Sequence, residues 1–412
     1  MSKQASKSEL ARTLTLTHAT LYGLGVTIGA GIYVLIGAAA ARSAMFSPIA
    51  FLVAAAIMSL TAASFAELVG RAPLAAGEAA YAKLAFQSNA LATIVGVMVV
   101  GIAVMSASAI SVGAAGYLAV FINLPERVLI GAVVASMALI AAWGIKESVI
   151  FAGLFTLIEV AGLLVIIGGG LLFEPKVFTR LPEIVPPLTQ PGTISALLST
   201  ILLAVFAFIG FESLANTAEE VRDPARTLPR AILLTLLIST VLYMLVVWIS
   251  LVAVPLPELT ASTAPLSLVF ERVTGGSPKI MSAIAIVATL NGVVVQIIMA
   301  SRVLYGMSRD NHFPAVFARV NNRTQTPVVA TSAAAGLVLA FAWFLPLHNL
   351  ADLTSRLTLL VFSMVNLFLG WIKWRGDPAP PDGFVAPSWV PWAGCASCLA
   401  LLIGEITSKG GW

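Results

Sequence analysis

The chain has 412 residues, 59% of them hydrophobic and only 10% charged, with a formal charge of +4 and a mean hydropathy of +0.98. Soluble domains carry about 25% charged residues, so there is too little polar surface here to cover a water-soluble globule of this size. The basic residues stand singly in short loops without interleaved aromatics, which argues against a nucleic-acid partner and leaves the charge bias to membrane topology.

A spanning helix needs about 20 apolar residues rising about 1.5 Å each. Runs of this kind fill the chain, which predicts a single all-α domain of about eleven transmembrane helices in the lipid bilayer. They lie near 14–40, 48–70, 88–122, 126–144, 147–173, 193–218, 229–254, 278–308, 327–346, 351–374 and 389–408. Residues 1–13 read as a polar cytoplasmic tail with no cleavable signal, because the first apolar run is long and leads straight into further spans. With the N-terminus inside, fifteen Lys and Arg fall on the inner side and eight on the outer. This is the bias expected of a multi-pass protein of the plasma or inner membrane with a cytoplasmic N-terminus. An eleventh span then puts the C-terminus outside.

The first span carries Gly23, Gly25, Gly29 and Gly31 within nine residues, in Gly23-Leu-Gly-Val-Thr27-Ile-Gly29-Ala-Gly31-Ile-Tyr33. Each glycine costs a helix about 1 kcal/mol against alanine. Gly25 and Gly29 also fit the spacing of close helix packing. The spacing approaches a dinucleotide fingerprint, but that needs a preceding strand and a later acidic residue, and neither is present.

Five spans end at the proline-rich stretch 174–191. The sixth, at Phe206-Ala-Phe208-Ile-Gly210-Phe-Glu212-Ser213, has a glycine and then a carboxylate at comparable depth. Five is odd, so residues 193–374 enter from the side opposite to residues 14–173. Any likeness between the two sets is an inverted repeat, with the helix at 389–408 outside it. The first span of each set is therefore expected to be broken. Unwinding in lipid is tolerated only facing protein or a wet cavity. It leaves N–H groups that attract an anion and carbonyls that attract a cation. A site with both suits a zwitterion such as an amino acid.

These residues resemble the amino acid–polyamine–organocation (APC) superfamily of transporters. The resemblance is carried by Thr27-Ile28-Gly29-Ala30-Gly31-Ile32-Tyr33, by Ala66-Glu67-Leu68 with Pro73 and Ala75-Ala76-Gly77-Glu78-Ala79-Ala80-Tyr81, and by Phe208-Ile209-Gly210-Phe211-Glu212. It continues through Ala218-Glu219-Glu220-Val221-x-Asp223-Pro224-x-Arg226, Arg302-x-Leu304-Tyr305-x-Met307-x-Arg309-Asp310 and Thr326-Pro327. Ala76 stands where a second glycine is common, and many relatives have twelve or more spans. The resemblance implies a five-plus-five inverted-repeat (LeuT-like) core with broken first and sixth helices. It implies a substrate whose carboxylate meets the N–H groups of Ala30, Gly31 and Ile32. The amine would meet carbonyls near Thr27 and Ile28 and near Phe206, Ala207 and Ile209, beside Gly29 and Gly210. Phe208 or Phe211 would act as an aromatic gate. Side-chain pockets would draw on spans three, six, eight and ten, where Met105, Ser108, Ser111 and Asn291 are candidates.

Glu159 lies in the middle of the fifth span, where a charge costs roughly 2.5–3.5 kcal/mol on insertion scales. Proton-coupled relatives carry a lysine at what resembles this position. Glu159 is a candidate for loading H+, for ligating sodium, or for a structural hydrogen bond. Glu212 is a second ion-coupling candidate, read otherwise as capping the half-helix after the break or as meeting the substrate ammonium. Glu219, Glu220, Arg222, Asp223, Arg226 and Arg230 form an inner loop that serves as a gate of ion pairs or as a solvated turn. Cys395 and Cys398 are two small packing residues inside the last span, without the second pair that a zinc site needs. His18, His312 and His348 have no ligand-spaced partners, so no metal site is expected, and no cofactor. No phosphate-binding loop occurs that would drive transport with ATP. The expectation is a secondary active transporter for an amino acid or related amine, proton-coupled, sodium-coupled or exchanging. An intramembrane enzyme would need a nucleophile and base that are not seen. A channel would need a filter or charge ring.

Overall fold

A computed structural model describes residues 14–72, 77–143, 149–187, 189–190, 192–218, 221–309, 313–321, 323–379 and 383–409. The tail 1–13 and the motif or loop positions Pro73, Ala75, Ala76, Lys146, Glu219, Glu220, Asp310 and His312 lie outside the described residues.

The first span is two helices, α1 (Leu16–Ala30) and α2 (Ile32–Ser43). A 3-10 turn, Ala44–Phe46, leads to α3 (Ser47–Arg71), which begins with Pro48 in its first turn, where its missing N–H costs nothing. Then follow the short α4 (Gly77–Phe86), α5 (Asn89–Leu118), α6 (Glu126–Trp143), α7 (Val149–Phe173) and the single turn α8 (Lys176–Thr179). The sixth span is α9 (Thr193–Phe208) continued by a 3-10 stretch, Phe211–Thr217. After it come α10 (Pro224–Ala253), α11 (Leu256–Ala261), α12 (Pro265–Thr274), α13 (Pro278–Arg309), α14 (Val328–Phe344), α15 (Leu347–Trp374) and α16 (Val390–Lys409). Among the described residues the only extended pairing is one parallel bridge between Leu14 and Val221, with the Arg222 N–H donating to Leu14 O at 3.0 Å. It pins the entry of the first span to the exit of the sixth.

Nine helical stretches among the described residues are long and apolar enough to cross a membrane. The sequence predicts about eleven spans, and two features account for the difference. The stretch Ile32–Arg71 runs through the 3-10 turn, so it merges half of the broken first span with the second, and α14 has only 17 residues. The outer surface is that of a membrane protein: Leu139, Leu172, Phe173 and Phe344 are all at least 70% exposed. Trp143, Trp374 and Trp389 are exposed at or just beyond helix ends, where indole rings favour the interface.

Exchanging α1–α2 with α9 and its 3-10 continuation, α3 with α10, α5 with α13, α6 with α14 and α7 with α15 maps most of the packing onto itself, the contact of α1 with α13 being an exception. α1 packs on α10 and α9 on α3; α1 on α7 and α9 on α15; α5 on α14 and α13 on α6; α3 on α15 and α10 on α7. The pairs α5–α13 and α3–α10 each map onto themselves and are both in contact. This is the packing that a five-plus-five inverted repeat produces. The short helices α4, α11 and α12 lie between spans and were not foreseen. α12 buries Leu266, Val269, Phe270 and Val273, a 3–4 residue rhythm that holds one face of a surface helix on the core.

Candidate functional site at the two helix breaks

In the first span the helix stops for one residue. Gly31 has φ −119° and ψ −66°, and its N–H reaches back to Ile28 O at 3.4 Å. α2 starts afresh at Ile32: the Val34 and Leu35 N–H groups already reach Gly31 O, at 3.1 and 3.2 Å, so among the described residues the backbone donors the break leaves open at the start of α2 are those of Ile32 and Tyr33. Of the three donors expected to meet a carboxylate, Gly31 is thus paired and Ala30 is the last residue of α1. The reason glycine is needed is steric. A Cβ on Gly31 would lie 2.3 Å from Ala207 Cα and 2.9 Å from Ala207 O. The two broken spans touch backbone to backbone here.

In the sixth span Ile209 is extended, at φ −61° and ψ 130°, and Gly210 has φ +134°, a region open essentially only to glycine. A Cβ on Gly210 would lie 2.8 Å from Thr27 Cα and N. The Gly210 N–H donates to Glu212 Oε2 at 2.8 Å. Glu212 therefore satisfies a backbone donor released by the break, the capping arrangement read from the sequence.

Thr27, Ile28, Gly29, Gly31 and Ile32 are buried, as are Phe206, Ala207, Phe208, Ile209, Gly210 and Phe211. The two segments meet at Gly31 against Ala207 and at Gly210 against Thr27, whereas Gly29 faces α13 and α7; Ala30 is the last residue of α1. The two candidate gate rings occupy different surroundings. Phe208 packs against Phe51 of α3 and Tyr243 of α10, with centroids 6.4 and 5.3 Å away. Phe211 packs against Phe65 of α3 and Phe362 of α15, at 6.0 and 5.5 Å.

Glu159 of α7 is fully buried, and neither carboxyl oxygen has a hydrogen-bond partner among the described residues. Its Oε2 is 3.7 Å from the Cβ position of Gly29, which also faces Ala288 O of α13 at 2.7 Å. The carboxyl thus stands beside the last turn of α1 before the break. Thr27 Oγ1 is likewise buried and unpartnered.

Three tyrosines brace this region and had no role assigned from sequence. Tyr243 OH donates to Thr27 O at 2.9 Å, Tyr33 OH to Glu159 O at 2.8 Å and Tyr117 OH to Tyr33 O at 2.5 Å. A phenol in mid-span must find an acceptor inside the protein, and that is the signal that marks them. Ser108, a pocket candidate, donates to Val104 O and to Val338 O of α14 and is satisfied away from the breaks.

A cavity of about 830 Å³ lies beyond α2, bordered by Arg42, Tyr117, Glu126, Arg127 and His348. Val34 and Gly113 also line it, the Val34 methyl groups lying 2.4 and 2.6 Å from the Cβ position of Gly113. In the inner loop Arg226 and Asp223 form a long exposed pair at 3.9 Å.

Two broken spans, packed backbone to backbone beside a buried carboxyl within paired five-span sets, define a membrane protein of the LeuT-like broken-helix class. The chain belongs to the family described as "Amino acid permease", which matches residues 14–407. It is 30% identical over 426 residues to the vacuolar cationic amino acid transporter 2 of Arabidopsis thaliana, covering 99% of this chain and 66% of that protein. It is 28% identical over 429 residues to the branched-chain amino acid permease BcaP of Bacillus subtilis (strain 168), covering 97% and 89%. It is 27% identical over 395 residues to the methylthioribose transporter of the same bacterium, covering 89% and 82%. The chain spans just under two thirds of the length of the plant relative. Among solved structures, the Eremococcus coleocola manganese transporter, in complex with an aromatic bis-isothiourea substituted compound, shares the fold. The TM-score is 0.66 at 14% identity, over 98% of this chain and 90% of that one.

Proposed function

We propose that the protein is a secondary active transporter that moves an amino acid or related amine across a cell membrane by alternating access, with its N-terminus in the cytoplasm and Glu159 carrying a coupled proton. The carrying observation is the meeting of the two breaks, Gly31 on Ala207 and Gly210 on Thr27. There the Ile32 and Tyr33 N–H groups at the start of α2 attract a carboxylate, and the carbonyls around 27–28 and 206–209, of which Thr27, Ile28 and Phe206 already accept one hydrogen bond each, offer an amine their remaining lone pairs. The named substrates of the relatives, cationic and branched-chain amino acids and methylthioribose, support a small polar cargo without choosing one.

The coupling role rests on burial. An unpartnered carboxylate in mid-span is expensive, so Glu159 is neutralised by a proton or balanced by a cation. A sodium-coupled reading is favoured by one observation: Ala288 O and Glu159 Oε2 border the same point next to Gly29. Rocking is supported by ties at both ends of α15. Arg42 of α2 meets Asp352 at 2.8 Å and Ser199 O of α9 at 2.7 Å. Glu67 of α3 meets Lys373 at 2.7 Å. Alternating access releases one tie at a time.

Purified protein in proteoliposomes tests the proposal. Counterflow of labelled amino acid, stimulated by unlabelled substrate on the far side, is expected of a carrier. An inward proton gradient is expected to accelerate uptake in the wild type. Glu159→Gln is expected to keep exchange but lose that acceleration. Acceleration by a sodium gradient alone would transfer the role to sodium.

A further inference from the structure

A groove of about 370 Å³ opens between the start of α1 and the first half of α10, lined by Leu16, Leu233, Leu234, Leu237 and Arg230. Leucines on a spanning helix are covered by acyl chains as a matter of course. The arginine is the feature that needs a partner. Arg230 is exposed and has no hydrogen-bond or ion-pair partner among the described residues. A charge at the edge of the hydrocarbon is kept only where it reaches water, a counter-ion or a headgroup.

The register of α10 places that charge. From its first turn to Val241, the exposed residues of α10 are Arg226, Arg230, Leu234, Leu237 and Val241. Their spacing of four, four, three and four residues is one face of a helix. The face is basic over its first turn and wholly apolar after Arg230. At about 1.5 Å per residue, Arg226 to Arg230 covers about 6 Å and Leu234 to Val241 about 10 Å. That is the order of a phospholipid, with the headgroup first and the acyl chain below it. Neither α1 nor α10 contains an acidic residue. Asp223, whose pair with Arg226 is long at 3.9 Å, lies about two turns before Arg230. Basic pockets between spanning helices bind anionic lipid headgroups, and Arg230 at the mouth of an apolar groove has that make-up.

We propose that the groove holds one anionic phospholipid from the leaflet on the N-terminal side, with its phosphate on Arg230 and an acyl chain along Leu16, Leu233, Leu234 and Leu237. Arginine suits the role because its planar fork bonds two phosphate oxygens at once. A zwitterionic lipid carries its own ammonium beside the phosphate and gains less from Arg230. Leu16 is the first residue of α1, and Leu14 just before it is bridged to Val221 just before α10. The lipid therefore seats where the first span enters the membrane and fastens α1 to α10. A ligand held by the folded state alone stabilises it.

The test is native mass spectrometry and thermal unfolding of the full-length protein in detergent, with phosphatidylglycerol or phosphatidylcholine of the same acyl chains added. The expected result is one phosphatidylglycerol retained per chain, bound at least about fivefold more tightly than phosphatidylcholine, with a higher melting temperature. Glycerol 3-phosphate, which has the phosphate without the chains, is expected to give neither effect. Arg230→Gln is expected to abolish the preference for phosphatidylglycerol. Leu237→Trp, which fills the groove and keeps the charge, is expected to abolish retention, and it carries the test if Arg230→Gln fails to fold. Arg319→Gln, which removes an exposed arginine elsewhere, is expected to change nothing. Equal retention of the two lipids would mean annular lipid only and overturns the proposal. So does binding of glycerol 3-phosphate as tight as that of the lipid, wild-type retention by either groove variant, or an equal loss in Arg319→Gln. Transport does not enter the readout, so this result stands apart from the fate of the transport proposal.

Discussion

Gly31 shows how one missing methyl group sets the geometry of the site. Its Cβ position is occupied by the Cα of Ala207, a backbone atom that cannot swing aside. Gly31→Ala must push the two broken spans apart, an overpacking worth typically 1–3 kcal/mol. A lower melting temperature in detergent and at least a tenfold loss of uptake are expected. Gly336 in α14 is the matched control, because nothing lies within 4 Å of its Cβ position. Gly336→Ala is expected to leave uptake unchanged and to hold or raise the melting temperature, by up to about 1 kcal/mol of helix propensity. The glycines of the first span are not equivalent. The Cβ position of Gly25 lies 2.3 Å from Thr156 Oγ1 and that of Gly23 2.6 Å from Thr235 Oγ1, so both permit close helix packing; the spacing had suggested this for Gly25 and Gly29.

At the scale of elements, α16 is fastened by a buried polar cluster. Asn366 of α15 donates to Thr61 Oγ1 at 2.8 Å and accepts from Ser64 Oγ at 2.6 Å, both on α3. Thr61 in turn contacts Cys398 of α16 at 3.8 Å, and Gly394 of α16 packs directly over the Asn366 amide, its Cβ position 2.6 Å from Oδ1. Cys398 is fully buried in this contact, in keeping with its reading as a packing residue. Asn366→Leu leaves Ser64 with its 3.3 Å bond to Leu60 O and Thr61 with its 3.8 Å contact to Cys398 Sγ, and crowds Gly394. A loss of about 1–3 kcal/mol is expected, measurable as thermal destabilisation in detergent. A variant as stable as the wild type would show that the cluster is not what holds α16.

Across the whole molecule, Glu67 is a charge that ties distant elements together. It accepts from Arg71 Nε and Nη2 at 2.9 and 2.8 Å, from Lys373 Nζ at 2.7 Å and from the Ala386 N–H at 2.8 Å. One carboxylate thus joins the end of α3 to the end of α15 and to the connection running to α16. Removing one partner of a buried ion pair costs about 3–5 kcal/mol, because the other charges are left uncompensated. Glu67→Ala is expected to lower the melting temperature by that measure. Lys373→Ala in the Glu67→Ala background is expected to add much less than it costs alone, and a double-mutant cycle reads the difference. Full additivity would show that the two residues act independently.

The sequence by itself determined the membrane class, the number and order of the spans, and the two places where a span breaks. These follow from composition and local chemistry: apolar length sets a span, and clustered glycines in the first span, or a glycine followed by a carboxyl in the sixth, mark where helix propensity fails. The Thr27–Gly31 and Phe206–Phe211 segments were legible for that reason, and so was Glu159 as a buried charge. Only the tertiary structure decided what meets across the breaks. Gly31 against Ala207, Glu159 beside Gly29, and Gly292 against Ile110 depend on the register of helices far apart in the chain. The period of one helix carries no record of the face it will meet on another. The short helices α4, α11 and α12 also escaped sequence reading, since each is held by the core it covers rather than by the bilayer.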